Sequence, residues 1–428
     1  MLEKIIQLLK NSGADDWEVT DTRTEGWEFY YIRHDLDQNR AKNVEHIDVT
    51  VYKKIEDGKY MGRASAEVAP TESEDSARQL IEDLVYRASL VRNNPYPLHQ
   101  PAEAKPLPLT AGTLEKISAD FIKTMQEMPE TAAEDINSYE IFVSEITRRL
   151  ITSQGIDVTE NYPESMLEVV ANARSENHEI ELYRMYHSGT CDQAGLKKDI
   201  SAVLRYGRDR LHTVPTPGLG KCPVVFSTSD AKNIYDYFLA GLNAQLVFRK
   251  MSSMKIDTPI SNEVTGDKVT IQALRQLPNS SKNFAYDSEG APIKDLILME
   301  ADTPKAYWGD RMFASYLGLT DSFMISNYEV TGGTKSEAEI RTGRYLEIVE
   351  FSDFQVSEIT GDIFGEIRLG YYHDGDQVTA VSGGSVSGSM REYLSRMVMS
   401  KEQTQYNNVK IPSLTKLMDV TVAGAENK

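Results

Sequence analysis

The sequence predicts an α+β protein of two domains. The first combines a mixed sheet with amphipathic helices, and the second is a largely antiparallel β sheet or barrel. Three observations carry this expectation. At 428 residues the chain is too long for one ordinary hydrophobic core. Helical and strand-like periodicities mix through the first half, whereas from Lys268 onward the pattern is mostly strand-like. Between the halves, Val214-Pro-Thr-Pro-Gly-Leu-Gly220 carries two prolines and two glycines in seven residues, the composition of a connection. The expected division is therefore 1–213, a linker at 214–220, and 221–428.

The opening MLEKIIQLLKNSGADD places Leu2, Ile5, Ile6 and Leu9 on one helical face. It has no basic segment ahead of a long apolar core, so it does not read as a signal peptide, and the expected location is the cytoplasm. Strand-like runs follow at residues 17–23, 27–32, 44–53 and 62–68. A helix is expected over 71–89, where Thr71 and Glu74 form a capping-box pattern and Ala77, Leu80, Ile81, Leu84, Val85 and Ala88 give the buried stripe. Residues 93–108 carry Pro95, Pro97, Pro101, Pro106 and Pro108 and read as a connecting arm. After a helix at 114–125 come alternating runs at 139–146, 149–152, 156–160, 166–172 and 179–187, two of them joined by the Ser153-Gln154-Gly155 turn. A helix at 193–211 precedes the linker. Beyond it stand a strand at 222–227 and a helix at about 230–247. Residues 351–390 read as hairpins: glycine recurs at 361, 365, 370, 375, 383, 384 and 388, and the Asp374-Gly375-Asp376 turn joins strands at 367–372 and 377–381.

Composition narrows the function. The net charge is −19, from 46 basic and 65 acidic residues, and no Lys/Arg stripe offsets it, so nucleic acid is not an expected partner. No apolar run approaches the ~20 residues of a membrane span. Two cysteines, Cys191 and Cys222, make neither a disulfide framework nor a Cys-x-x-Cys metal knuckle.

Several short motifs, taken in order, resemble the TldD/PmbA family. They are Gly62-Arg-Ala-Ser65 before a long helix, Pro223-Val-Val-Phe226 before another, Phe284-Ala-Tyr-Asp-Ser-Glu-Gly290, Thr360-Gly361-Asp362 with its following strand, and the ending from Ile411 to Gly424. The resemblance implies one of two related subunits. The TldD-like kind is implied to be a zinc peptidase with a helical HExxxH motif and a late cysteine ligand. The PmbA-like kind, also called TldE, lacks the motif and pairs with it to act on unfolded peptides. An older family label is modulator of DNA gyrase.

The helix that decides between them lies at 229–254, SDAKNIYDYFLAGLNAQLVFRKMSSM. Zinc chemistry of this kind needs two imidazoles one turn apart beside a carboxylate. Alignment with the family places Tyr235, Asp236 and Ala240 at the three motif positions, and no cysteine follows Cys222. Asp236 alone cannot hold zinc, and Tyr235, Leu239, Leu242 and Leu246 form an apolar stripe. No catalytic residue and no metal is therefore assigned to this chain; zinc is expected in a TldD-like partner.

Other candidates are weaker. The seven histidines His34, His46, His99, His178, His187, His212 and His373 contain no i, i+4 pair. His187-Ser-Gly-Thr-Cys191 reads as a turn with a small thiol before it reads as a nucleophile and base. Gly384-Ser-Val-Ser-Gly388 has valine where a nucleophile elbow needs serine. Ser252-Ser253 reads as a cap. Arg249-Lys250, Arg341 and Arg344 read as surface charge; Tyr371, Tyr372 and Arg249 are candidates for a peptide or subunit contact. The leading reading is a non-catalytic PmbA/TldE-like subunit that completes a cavity and holds extended peptide by strand addition. The alternatives are an autonomous hydrolase using Asp236 with histidines from other strands, and a homodimeric peptide-binding module.

Overall fold

The alternation in the first half is realised as one sheet of six long strands. The computed structural model describes residues 1–107, 112–261 and 263–425. Helix α1 (Leu2–Asn11) leads into β1 (Asp16–Ile32), β2 (Asp35–Ile55), β3 (Tyr60–Val68) and α2 (Glu74–Leu90). Then come α3 (Leu114–Gln126), β4 (Glu134–Thr152), β5 (Asp157–Arg174), β6 (Glu179–Ser188) and α4 (Gln193–Arg210). The order across the sheet is β3-β2-β1-β4-β5-β6. Every pairing in it is antiparallel, which corrects the expected mixed sheet. The reason is connectivity: hairpins link most sequence neighbours, and no helical crossover returns a strand in the same direction. Runs read separately at 17–23 and 27–32 are one strand, because Gly26 keeps the ladder where a Cβ would meet Val143 O at 2.4 Å. The Thr71 capping box is not formed; Ser73 caps α2 by accepting from Ser76 N.

Odd-numbered side chains of β1 face the helices. Trp17 and Val19 pack with Ile47, Val49 and Val51 under α1 and α2. Tyr31 packs with Tyr139, Ile141 and Leu167 under α3 and α4. Even-numbered side chains face the second half of the chain, or solvent.

The second half contains β7 (Val214–Pro215), β8 (Gly220–Phe226), α5 (Lys232–Gly241), α6 (Ala244–Phe248), β9 (Ile271–Leu274), β10 (Leu296–Glu300), β11 (Thr303–Pro304), α7 (Arg311–Tyr316) and β12 (Asn327–Val330). The hairpin region follows as β13 (Tyr345–Val356), β14 (Asp362–Asp374), β15 (Gln377–Ser382) and β16 (Ser385–Ser389). The last strands are β17 (Val398–Met399), β18 (Gln403–Tyr406), β19 (Val409–Pro412) and β20 (Thr415–Ala423). One sheet runs β13-β8-β20-β16-β14-β15-β7, and pairing of β13 with β14 closes its first five strands into a barrel. A second sheet runs β11-β10-β9-β12-β19-β18. Pairing is largely antiparallel, with β8–β13, β12–β19 and β7–β15 parallel. Residues 214–220 thus include a short strand on β15 and the start of β8. Gly361 takes a φ of 78° where the chain turns into β14, and Gly375 one of 63° at the next turn.

The halves meet over the lower part of the even face. Arg311 Nη1 lies 2.6 Å from Glu18 Oε1, and its Nη2 donates to Tyr52 Oη at 2.5 Å. Tyr52 Oη donates in turn to Glu18 Oε2 at 2.8 Å. Glu160 accepts from Ala285 N at 2.6 Å, Tyr162 and Phe284 rings meet at 4.7 Å, and Lys282 Nζ reaches Glu164 at 2.9 Å. The proline arm is strapped across this seam, with Tyr286 Oη donating to Ala102 O at 3.1 Å. Its far end at Pro108 lies outside the described residues.

Candidate functional site

The helix expected at 229–254 is shorter and broken. A 3₁₀ turn at Ser229–Ala231 leads into α5, which ends at Gly241; Asn243 then caps α6 by accepting from Gln245 N. Residues 249–254 are not helical. The break is sealed from several sides. Trp308 Nε1 donates to Leu239 O at 2.9 Å, Ala244 N donates to Trp308 O at 2.7 Å, and Ser252 Oγ donates to Gly241 O at 2.6 Å. Ser252 therefore caps a helix end from its C-terminal side.

Helix α5 is buried nearly all round: Ile234, Tyr235, Tyr237, Phe238, Leu239 and Ala240 are all inside. A helix apolar on every side belongs in a core. Lys232, Asn233 and Asp236 form its one polar strip. Asn233 Nδ2 donates to Phe354 O at 3.0 Å. Asp236 Oδ1 accepts from Tyr328 Oη at 2.8 Å. Burial raises the Asp236 carboxyl above the usual range, while the Tyr328 bond pulls it down. Burial, and then the Asp236 charge, push the Tyr328 hydroxyl well above 10. An open groove of about 220 Å³ runs along this strip, between Asn233 and Asp236 on one side and Phe354 to Glu358 on the other.

The three motif positions do not fit zinc. Tyr235 is fully buried, and its hydroxyl lies 2.7 Å from Thr415 Oγ1. Ala240 has no donor atom. Asp236 has one oxygen engaged by Tyr328. Among the described residues no three His, Cys, Asp or Glu side chains group closely enough to share a metal. The helix can hold an aspartate at a groove; it offers no ligand set.

The other candidates are scattered. Tyr371 Oη donates to Asp209 Oδ2 of α4 at 2.5 Å, tying the hairpin region to the first half. The Tyr372 hydroxyl accepts from Arg344, whose guanidinium also lies 5.4 Å from the ring centre. Arg249 is exposed, with its guanidinium 5.4 Å from the Phe313 ring centre. Arg341 binds Glu347 through Nε and Nη2, each at 2.9 Å. Burial pushes the Cys191 thiol up to about 11, and its sulfur lies 3.8 Å from Thr124 Oγ1. His187 Nε2 lies 3.1 Å from Met185 Sδ. Neither residue serves the other as nucleophile and base. His46 meets Glu67 at 2.6 Å, and His373 stacks on Tyr345 at 4.2 Å. Tyr328 and Asn233 were not legible as site residues: the Tyr328–Asp236 bond joins positions 92 apart, and nothing local marks such a pair.

Residues 219–424 match the family model described as the PmbA/TldA metallopeptidase C-terminal domain. No curated protein matches the sequence. The fold matches the crystal structure of TldE from Thermococcus kodakarensis at a TM-score of 0.80 and 16% identity, covering 99% of this chain and 100% of that one. It also matches a protein from Thermotoga maritima described as a modulator of a DNA gyrase, at 0.79 and 16% identity, covering 99% of each chain. A Bacteroides thetaiotaomicron protein with a similar description matches at 0.77 and 14% identity, over 99% of this chain and 98% of that one. Residues 219–424 thus belong to the TldD/PmbA family by their C-terminal domain, and the chain shares the fold of these structures from end to end.

Proposed function

We propose that this chain is a non-catalytic, TldE/PmbA-like subunit of a zinc peptidase of the TldD/TldE type, acting on unfolded peptides in the cytoplasm. The observation that carries this reading is the chemistry of α5. Where the resemblance implies His, Glu and His, the chain has a core tyrosine, an aspartate held by Tyr328, and an alanine. Its role is architectural: it completes a cavity around the partner's zinc and presents strands to an extended substrate. No proton transfer or water activation is assigned to its residues.

Co-expression with a TldD-like protein carrying HExxxH tests the proposal. The pair is expected to co-purify with zinc and to cleave unfolded peptide, while the lone chain carries no stoichiometric zinc and cleaves nothing. Stoichiometric zinc together with chelator-sensitive cleavage in the lone chain would overturn it.

A further inference from the structure

The lower part of the even face of the first sheet is covered by the second half of the chain; the upper part is open. There, Glu140 on β4 stands directly opposite Glu168 on β5. Like charges in direct cross-strand register repel. Glu168 accepts from Tyr183 Oη at 2.8 Å, but Glu140 has no hydrogen-bond or ion-pair partner among the described residues. The nearby cation, Arg40, is already engaged: its Nε lies 2.5 Å from Glu28 Oε2 and its guanidinium also bonds Tyr30. Burial, then the Glu168 charge, raises the Glu140 carboxyl.

Two further features adjoin this pair. Ile32, Tyr183 and Met185 are 57%, 50% and 45% exposed, large apolar side chains on the same open face. Met185 continues the row of Glu140 and Glu168 onto β6. Strand β6 is the last in the sheet, and its outer edge pairs with no strand among the described residues. Folded sequences seldom leave a charge conflict beside exposed apolar groups and a free edge unless something else resolves it.

We propose that the β6 edge takes an extended, cationic peptide segment bearing apolar side chains, with its basic groups reaching Glu168, to whose negative charge Glu140 adds from the next strand. An added strand would lie two spacings, about 10 Å, from β5, a span that an arginine or lysine and a glutamate cover together. Apolar side chains on the same face would rest on Met185 and Tyr183. A second copy of this chain is the poorer occupant, because it brings a further charge of −19 and the same glutamates. The inference rests on the peptide-holding reading and specifies the substrate class it favours.

The test uses the full chain alone, without a peptidase partner, so its failure is separate from failed co-purification. Binding of two fluorescein-labelled peptides is measured by anisotropy, one alternating arginine with leucine and one alternating glutamate with leucine. The basic peptide is expected to bind at least about tenfold more tightly, and Glu140→Gln/Glu168→Gln to remove about tenfold of that affinity. The control Glu82→Gln/Glu103→Gln, with the same change in net charge at exposed positions, is expected to bind as wild type. Equal binding of both peptides, or an equal loss in the control, overturns the proposal. So does a wild-type dimer in sedimentation that Glu168→Arg dissociates, since a second copy would then hold the edge. Unchanged far-ultraviolet circular dichroism shows that the glutamine variants fold.

Discussion

One face of one sheet behaves in two ways. In its lower part the acidic side chains meet partners supplied by the second half of the chain: Glu18 meets Arg311, Glu164 meets Lys282, and Glu160 accepts a backbone amide. In its upper part Glu140 and Glu168 face each other, with no second half above them. The two regions share a strand set and a residue type. What differs is whether another element arrives to neutralise them. Carboxylates that meet a cation or amide from the second half fix how the halves dock, while the upper pair has no counter-charge of its own, which is why we propose an outside segment there.

The strongest way to break the comparison is to empty the lower region. Arg311→Ala leaves Glu18 and Glu289 buried without their cation, and should destabilise the fold by about 4 kcal/mol in urea denaturation. A loss below about 1 kcal/mol would mean that the seam is held by apolar contact alone.

Acidity gives the next largest effect. Burial pushes Glu289 up to about 6 and outweighs the Arg311 guanidinium 3.7 Å away. A carboxyl whose folded pKa is raised favours the folded state below its unfolded pKa. Its contribution, up to about 2 kcal/mol, is lost as pH rises from about 4.5 through about 6. Melting temperatures of wild type and Glu289→Gln across this window check it, since the glutamine variant should lack the fall.

Asp236 lies between the two cases, partnered yet beside a groove. Tyr328→Phe removes its bond and should cost about 1 kcal/mol, with no change in zinc content. A larger zinc content would mean that the tyrosine was masking a ligand.

The smallest effect sharpens the upper region. Glu140→Gln/Glu168→Gln should stabilise the chain at neutral pH by about 0.5 kcal/mol, a figure reduced by solvent screening. Destabilisation would mean that the pair is not in conflict.

Periodicity made much of this architecture legible. The helices at 114–125 and 193–211, the alternating runs that became β4, β5 and β6, and the hairpins bracketed by Gly361 and Gly375 all report local backbone preference. Motif order carried the resemblance to the family, and the lack of histidine around Tyr235, Asp236 and Ala240 already left α5 without imidazole ligands. The strand directions of the first sheet, the break between α5 and α6, and the match of Tyr328 to Asp236 were not legible. Each depends on which segment arrives from far along the chain: Trp308 at the helix break, β12 at the aspartate. The same holds for Glu140 and Glu168. The sequence by itself determined that each lies on a strand with alternating faces. Only the tertiary structure set them opposite each other and left them uncovered, because register and coverage are fixed by long-range packing, which local preference does not encode.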